Sequence, residues 1–373
     1  ELAPVATAIA QGDEGADGFH HEAFQAMAAT GLFRIPFAAP HGDGLEYPAT
    51  ATAVTVEELA YASNSLAAVF DVHCILAGHA VSFADDALRE RWLPQLCDGS
   101  AIGAFATSEP AASTDLSPSA VQTTATREGD EYVVHGRKRW ITNSPVADFV
   151  ITLVRTDELQ LSLLLVPLKD SDGVRVGRAD RKLGNRGQLT ADIHYDGVRV
   201  PASNLIGQPG QGLQLALRVL TYGRIGIGAA GVGMAQAAFD LMVAQLKGRH
   251  AFGKPLGSNQ HWQFVLAEYA ADLEAARSLY LKAALRLDSG IPFPEPEAAM
   301  AKLRGSALAV SIARDAIQVL GGYGFTHELG DDGRICRAEE IYRDAKIGEI
   351  YEGANEIQKW IIARGILGRE ITG

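Results

Sequence analysis

The chain has 373 residues, 47% of them hydrophobic, enough to bury a large core, and it carries no Pro/Gly/Ser-rich linker and no long charge run. With 45 acidic against 33 basic residues the formal net charge is -12, which argues against a nucleic-acid backbone or an anionic membrane surface as partner. Cys74, Cys97 and Cys336 are odd in number and widely spaced, fitting neither a disulfide framework nor a metal site; no charged segment leads into an apolar run near Glu1, so a cytoplasmic location is expected.

Residues 1–103 have a helical pattern, with apolar positions recurring every three or four residues in His21 to Ala29, Ala53 to Ala60 and Asp86 to Cys97. From 104 to 207 the texture changes to short β-branched runs: Tyr132 to His135, Phe149 to Val154, Leu161 to Val166 and Ile193 to Val200. Turns at Gly129-Asp130, Asp196-Gly197 and Val200-Pro201 separate them, which predicts an antiparallel β domain. Residues 208–373 return to long helices, broken at Gly253 to Gly257, Gly290 to Pro296 and Gly321 to Gly333. The order is helical, β, helical, an α+β multidomain chain without repeats. The uncharged stretch Ile225 to Phe239 is fifteen residues long. That is short of the ~20 apolar residues a membrane span needs, so a buried helix is expected there.

Gly226-Ile-Gly228-Ala-Ala-Gly231 matches the GxGxxG dinucleotide fingerprint, but that motif works only between a strand and a helix N-terminus, with an acidic residue about 20 positions on. Here the pattern is helical on both sides and Asp240 comes too early. No nicotinamide site is predicted.

The most informative window is Tyr342 to Trp360. Gly353 suits a helix end, and Asn355 with Gln358 three residues later resembles a capping box, so Glu352 is expected at the junction of two helices. A helix C-terminus and the apolar neighbours Ile350 and Tyr351 would both raise its pKa, as a general base for a carbon-bound proton requires. Four further segments bear on this. Phe105 to Asp115 is dense in hydroxyls (Thr107, Ser108, Thr114), and Lys138 to Asn143 places Trp140 and Thr142 on one strand face, a ring and a hydroxyl suited to flank a heteroaromatic cofactor. Arg249 to Leu256, with Phe252 and then Gln260, offers a cation, a ring and an amide around a helix break; Gln318 to Phe325, with Gly321 and Gly322, lets a ligand approach the backbone.

In this order and spacing the segments resemble the acyl-CoA dehydrogenase family over essentially the whole chain, with further matches at Lys182 to Gly187, Val200-Pro201, Asn204 to Gly207 and Tyr342 to Lys346. The resemblance implies an N-terminal helical domain (1–103), a central antiparallel β barrel (104–207) and a C-terminal four-helix bundle (208–373). It implies FAD, with Phe105, Thr107, Ser108, Trp140 and Thr142 lining the isoalloxazine, Thr142 near N5, and Ala354 and Glu356 also at the cofactor. Arg249, Phe252, Gln260, Gln318, Gly321 and Gly322 would hold the adenylate part from a neighbouring subunit, in a homotetramer built as a dimer of dimers. Thr114, Thr221, Arg224 and Gly353 would line the substrate channel. Glu352 matches the family's base, and Gly223 stands where other subfamilies carry theirs. The implied reaction is α,β-dehydrogenation of an acyl-CoA or acyl-carrier-protein thioester, with an electron-transfer flavoprotein or similar acceptor as partner.

Three departures stand out: Ala354 where Thr is frequent, His41-Gly-Asp-Gly-Leu in the first domain, and Gln188-Leu189 in place of a Ser-Asp pair, the last two where carrier contacts are expected to vary. Rival functions are a flavin-dependent oxidase or monooxygenase on the same scaffold and a catalytically silent binding scaffold. His20-His21-Glu22 lacks a third metal ligand, and Asp331-Asp332 reads as a turn.

Overall fold

The computed structural model describes residues 18–372 apart from 113 and 332; Ser113 and Asp332 therefore lie outside the described residues. The first region contains α1 (His21–Ala29), α2 (Pro48–Ala62), α3 (Asn64–Phe70), a π-helical segment (Asp71–Gly78), α4 (His79–Val81) and α5 (Asp86–Cys97). From Asn64 to Val81 these form one rod, 94% buried, so that its faces are all covered and no amphipathic period announces it. His73 pins the π segment. Its Nε2 lies 3.0 Å from the Leu96 carbonyl at the end of α5, its Nδ1 accepts from Gly103 N at 3.3 Å, and burial drives its pKa down to about 4, so the ring is neutral.

The middle region is an eight-stranded sheet of β1 (Gly103–Ala106), β2 (Thr124–Glu128), β3 (Glu131–Thr142), β4 (Phe149–Asp157), β5 (Gln160–Pro167), β6 (Val174–Val176), β7 (Thr190–Pro201) and β8 (Leu205–Ile206). Its order is β6-β7-β3-β2-β4-β5-β8, and most pairs are antiparallel, whereas β1 and β2 each meet β4 in parallel. The long β3–β7 ladder slips register between Lys138 and Ile141. That bulge matters for the site.

The third region comprises α6 (Gly212–Gly248), a hairpin of β9 (His250–Ala251) and β10 (Lys254–Pro255), α7 (Gln260–Asp288), α8 (Glu297–Leu320), α9 (Gly322–Phe325), α10 (Ala338–Ala345), a 3-10 turn (Lys346–Glu349), α11 (Asn355–Leu367) and α12 (Arg369–Thr372). Helix α6, 37 residues long, packs against α7 and α8 and also against α2 and the π segment, so one core runs through the first and third regions. The fingerprint-like glycines sit in the middle of α6. Gly228 and Gly231 face Ala301 and Gly305 of α8, and a Cβ on Gly231 would strike the Gly305 backbone, so these glycines serve helix-to-helix approach. The Lys182 to Gly187 loop docks on α10, with Asn185 N donating to Asp344 (2.6 Å) and Arg343 Nη1 donating to the Leu183 carbonyl (3.0 Å).

Candidate active site

Glu352 lies on the link between the 3-10 turn and α11, with φ +52°, a left-handed conformation that a non-glycine residue adopts only when its surroundings impose it. Gly353 follows at φ +89°. The carboxylate end is enclosed: Oε2 is inaccessible to solvent and has no donor among the described residues. It occupies the space that Gly223 of α6 leaves, since a Cβ there would overlap Oε2 and press on Leu76. The two alternative base positions therefore exclude each other by simple volume. Burial raises the Glu352 pKa, while Asp71, Lys302 and Arg224 pull it back. Of the apolar neighbours named from the sequence, Ile350 is exposed and does not desolvate the carboxyl; the walls that do are α6 and the π segment.

The surrounding cations are already engaged. Lys302 of α8 is buried, which lowers its pKa to about 8, and its Nζ donates to Asn355 Oδ1 at 2.9 Å. Arg224 donates to Glu295 Oε1 at 2.7 Å. The predicted capping box is consequently not made. Asn355 spends its side chain on Lys302 and Ser306, and Gln358 Nε2 turns back to the Gly353 carbonyl at 2.8 Å, leaving Ala354 as a cap residue without a side-chain bond.

A second carboxyl, not singled out by the motifs, shares the enclosure. Asp71 opens the π segment, packs beneath Gly226 one turn from Gly223, and leaves both oxygens without a donor. Its signal in the sequence is faint but present: it is the only Asp, Glu, Lys or Arg between Asn64 and Val81.

The predicted cofactor-facing groups converge at the edge of β1 and β3. Lys138, fully buried, donates to Glu109 Oε1 (2.8 Å) and to the Thr107 carbonyl (3.2 Å), while Glu109 accepts from Gln122 N (2.7 Å) and Thr123 N (3.0 Å). Ser108 O accepts from Arg139 N at 2.9 Å. The Thr107-Ser108 segment is thereby fixed beside β3. The bulge after Lys138 gives Trp140 φ +58° and turns it outward, 57% exposed, on the side of Thr142 and opposite buried Ile141. Among the described residues the hydroxyls of Thr107, Ser108 and Thr142 make no hydrogen bond, and Phe105 is buried behind them. A planar heteroaromatic group with ring nitrogens and carbonyls fits such an edge.

The remaining predicted residues are more dispersed. Arg249, Gly321 and Gly322 line one cavity with Tyr323, Thr326 and Arg334, whereas Phe252, Gln260 and Gln318 lie exposed outside its lining. Thr221 is buried with its hydroxyl on the Leu217 carbonyl (2.8 Å), Arg224 borders the enclosure, and Thr114 is exposed. Glu356 stands in the first turn of α11. Gln188 and Leu189, expected where a carrier would touch, are buried instead, with Gln188 Nε2 bonded to Thr190 Oγ1 at 2.7 Å. His41 is half-buried and pairs with Glu90 at 3.3 Å.

Two helical regions flank a sheet, with an enclosed carboxyl among the helices and an edge of unpaired hydroxyls on the sheet, the fold of an oxidoreductase acting on CH–CH bonds. Comparison with known proteins makes this specific. The chain matches the acyl-CoA dehydrogenase N-terminal domain over residues 1–100, the middle domain over 104–198 and the C-terminal domain over 210–367. It is 39% identical over 331 residues to the mitochondrial short-chain specific acyl-CoA dehydrogenase of Rattus norvegicus, covering 87% of this chain and 77% of that protein. Among solved structures it is similar to butyryl-CoA dehydrogenase from Megasphaera elsdenii (TM-score 0.90, 32% identity, 98% and 94% of the two chains). It is also similar to the prolyl acyl carrier protein oxidase AnaB (TM-score 0.87, 27% identity, 98% of each chain). The chain belongs to the acyl-CoA dehydrogenase family, a family of flavoproteins.

Proposed function

We propose that the protein dehydrogenates an acyl thioester, carried on coenzyme A or an acyl carrier protein, to the trans-2-enoyl thioester, with Glu352 removing the α proton. The observation that carries this is Glu352 Oε2, buried without a donor among the described residues in the volume vacated at Gly223, on a side chain whose pKa burial raises and whose backbone is left-handed. FAD, when bound, supplies the acceptor for the hydride that leaves the β carbon. Thr107, Ser108, Trp140 and Thr142, with Phe105 behind them, would hold its ring, with Ala354 and Glu356 beside it; the unpaired hydroxyls and outward indole support that assignment. Arg249, Phe252, Gln260, Gln318, Gly321 and Gly322 would take the adenylate end, and exposure of Phe252 and Phe325 supports completion of that site by a neighbouring subunit in a homotetramer. Thr114, Thr221, Arg224 and Gly353 would line the thioester channel. Excluding water around Glu352 strengthens every electrostatic contact to the developing enolate oxygen.

An electron-transfer flavoprotein or similar acceptor would reoxidise the enzyme, and the three free cysteines, two of them buried, support a reducing cytoplasmic setting. The test is anaerobic mixing of the yellow holoenzyme with a panel of acyl-CoA and acyl-carrier thioesters. Bleaching of the flavin is expected with a subset of them, and Glu352→Gln should keep its FAD while bleaching at least about a thousandfold more slowly, within the range general bases contribute. Bleaching at an undiminished rate in that variant, or rapid peroxide release in air favouring an oxidase, would overturn the assignment.

A further inference from the structure

Asp71 and Glu352 are two carboxyls in one enclosure. Asp71 is 1% exposed, and neither of its oxygens nor Glu352 Oε2 meets a donor among the described residues. The groups facing the pair do not neutralise both members. Lys302 and Arg224 act on Glu352 and are themselves bonded to Asn355 and Glu295. Tyr222 on α6, Tyr351 beside Glu352 and Cys74 on the π segment all have their pKa values pushed up by burial, so each is uncharged at neutral pH.

Arg224 is neutralised by Glu295, so Lys302 alone is left to offset two adjacent anions, and such a pair out of water keeps one proton. Asp71 is the member that keeps it: it is 1% exposed and no cation acts on it, whereas Lys302 and Arg224 favour the Glu352 anion, and burial with the neighbouring Glu352 charge raises the Asp71 pKa. The two side chains lie against adjacent turns of α6, Glu352 Oε2 at Gly223 and Asp71 Oδ1 at Gly226, and two buried acceptors do not face each other there unless one carries a hydrogen. We propose that Asp71 is a positioning residue for the base: it holds the one proton of the pair and donates it in a hydrogen bond to Glu352, fixing the anion against Gly223. This rests on Glu352 being the base. Once the α proton arrives both carboxyls are neutral, so turnover never places two charges in the enclosure.

The sign of the effect follows. A donor to the Glu352 anion favours the anion and lowers its pKa, opposing burial; removing the donor lets the pKa rise, and the rate then falls off at higher pH on the acid side. Two measurements on the substrate-free and substrate-mixed holoenzyme test this. In infrared spectra at neutral pH, wild type minus Asp71→Asn should show a buried carboxylic-acid C=O band that Glu352→Gln retains; the subtraction removes any contribution from Asp344 and Glu340. In anaerobic bleaching against pH, Asp71→Asn should keep the acid limb near its wild-type position, since the amide still donates, while Asp71→Val should move it up by about one unit, equivalent to a tenfold change. Absence of the band from the difference spectrum overturns the proposal, as does an Asp71→Val rate lowered equally at every pH, the mark of a merely structural role. If no acyl thioester bleaches the wild-type enzyme, the dehydrogenase assignment fails and the infrared band still decides the proton.

Discussion

Only a hydrogen atom at position 223 leaves room for the carboxyl of Glu352, the proposed base. Glu352 Oε2 fills the volume where a Cβ would stand, and the opposite wall is Leu76, so the carboxyl has nowhere equivalent to go. Gly223→Ala is therefore expected to retain FAD but to slow anaerobic bleaching by about a hundredfold, the usual consequence of an ångström-scale misplacement of a reacting group. A rate within a few-fold of wild type would show that the base sits elsewhere during turnover. At this scale the sequence was informative wherever a motif names a residue: Tyr351-Glu352-Gly353 and the glycine at 223 were both legible. The reason for basicity was not. It comes from the walls supplied by α6 and the π segment, which lie far away in the chain, and for the same reason Asp71 has no local pattern beyond being a lone charge in an apolar run.

Helices and strands carry the same division between local and distant signals. The residues of β3 were visible as Tyr132 to His135 and again as Trp140 and Thr142, and those of β7 as Ile193 to Val200, but β3 is one continuous strand and β7 runs back to Thr190, because pairing across the ladder joins and extends them. The bulge that turns Trp140 outward has no composition signal, and the rod from Asn64 to Val81 has no helical period because every face is buried. What fixes the cofactor-facing edge is the Lys138–Glu109 pair, 0% and 2% exposed, which ties the exit of β1 to β3 and to the start of β2. Burial lowers the Lys138 pKa to about 8, and the Glu109 carboxylate limits that fall. Lys138→Met removes one partner and strands the other's charge, so a loss of about 3–5 kcal/mol is expected. It also frees the Thr107 carbonyl, so the variant should be isolated with less FAD than wild type. Thermal melting together with the flavin-to-protein absorbance ratio checks both, and full FAD content with unchanged Tm would contradict this role for the pair.

Across the whole molecule the three regions recognised in the sequence do not correspond to three independent cores. The enclosure of the proposed base takes Asp71 from the first region and Gly223, Lys302 and Glu352 from the third, while the edge proposed for the cofactor belongs to the middle one, so no region holds all of the proposed site. The first and third regions are fastened along α2. At its start, Asp288 at the end of α7 accepts from Ala49 N (2.7 Å), Thr50 N (3.0 Å) and Thr50 Oγ1 (2.7 Å), capping from 238 residues away a helix whose own N-cap residue Tyr47 offers no side-chain bond. Further along, Glu57 accepts from Arg277 Nε (3.0 Å) and Nη2 (2.8 Å) and from Tyr280. Because among the described residues the donor groups at the start of α2 have no other acceptor, Asp288→Ala should cost about 1–2 kcal/mol, the upper part of the range for a lost N-cap. The shared core predicts how that loss will appear: Tm falls while unfolding stays a single transition, since the helix cannot detach without opening the floor on which Glu352 rests. Calorimetry of the variant distinguishes the cases, and a split into two transitions would mean that α2 and the helical bundle unfold independently and that the enclosure is not a property of the whole chain.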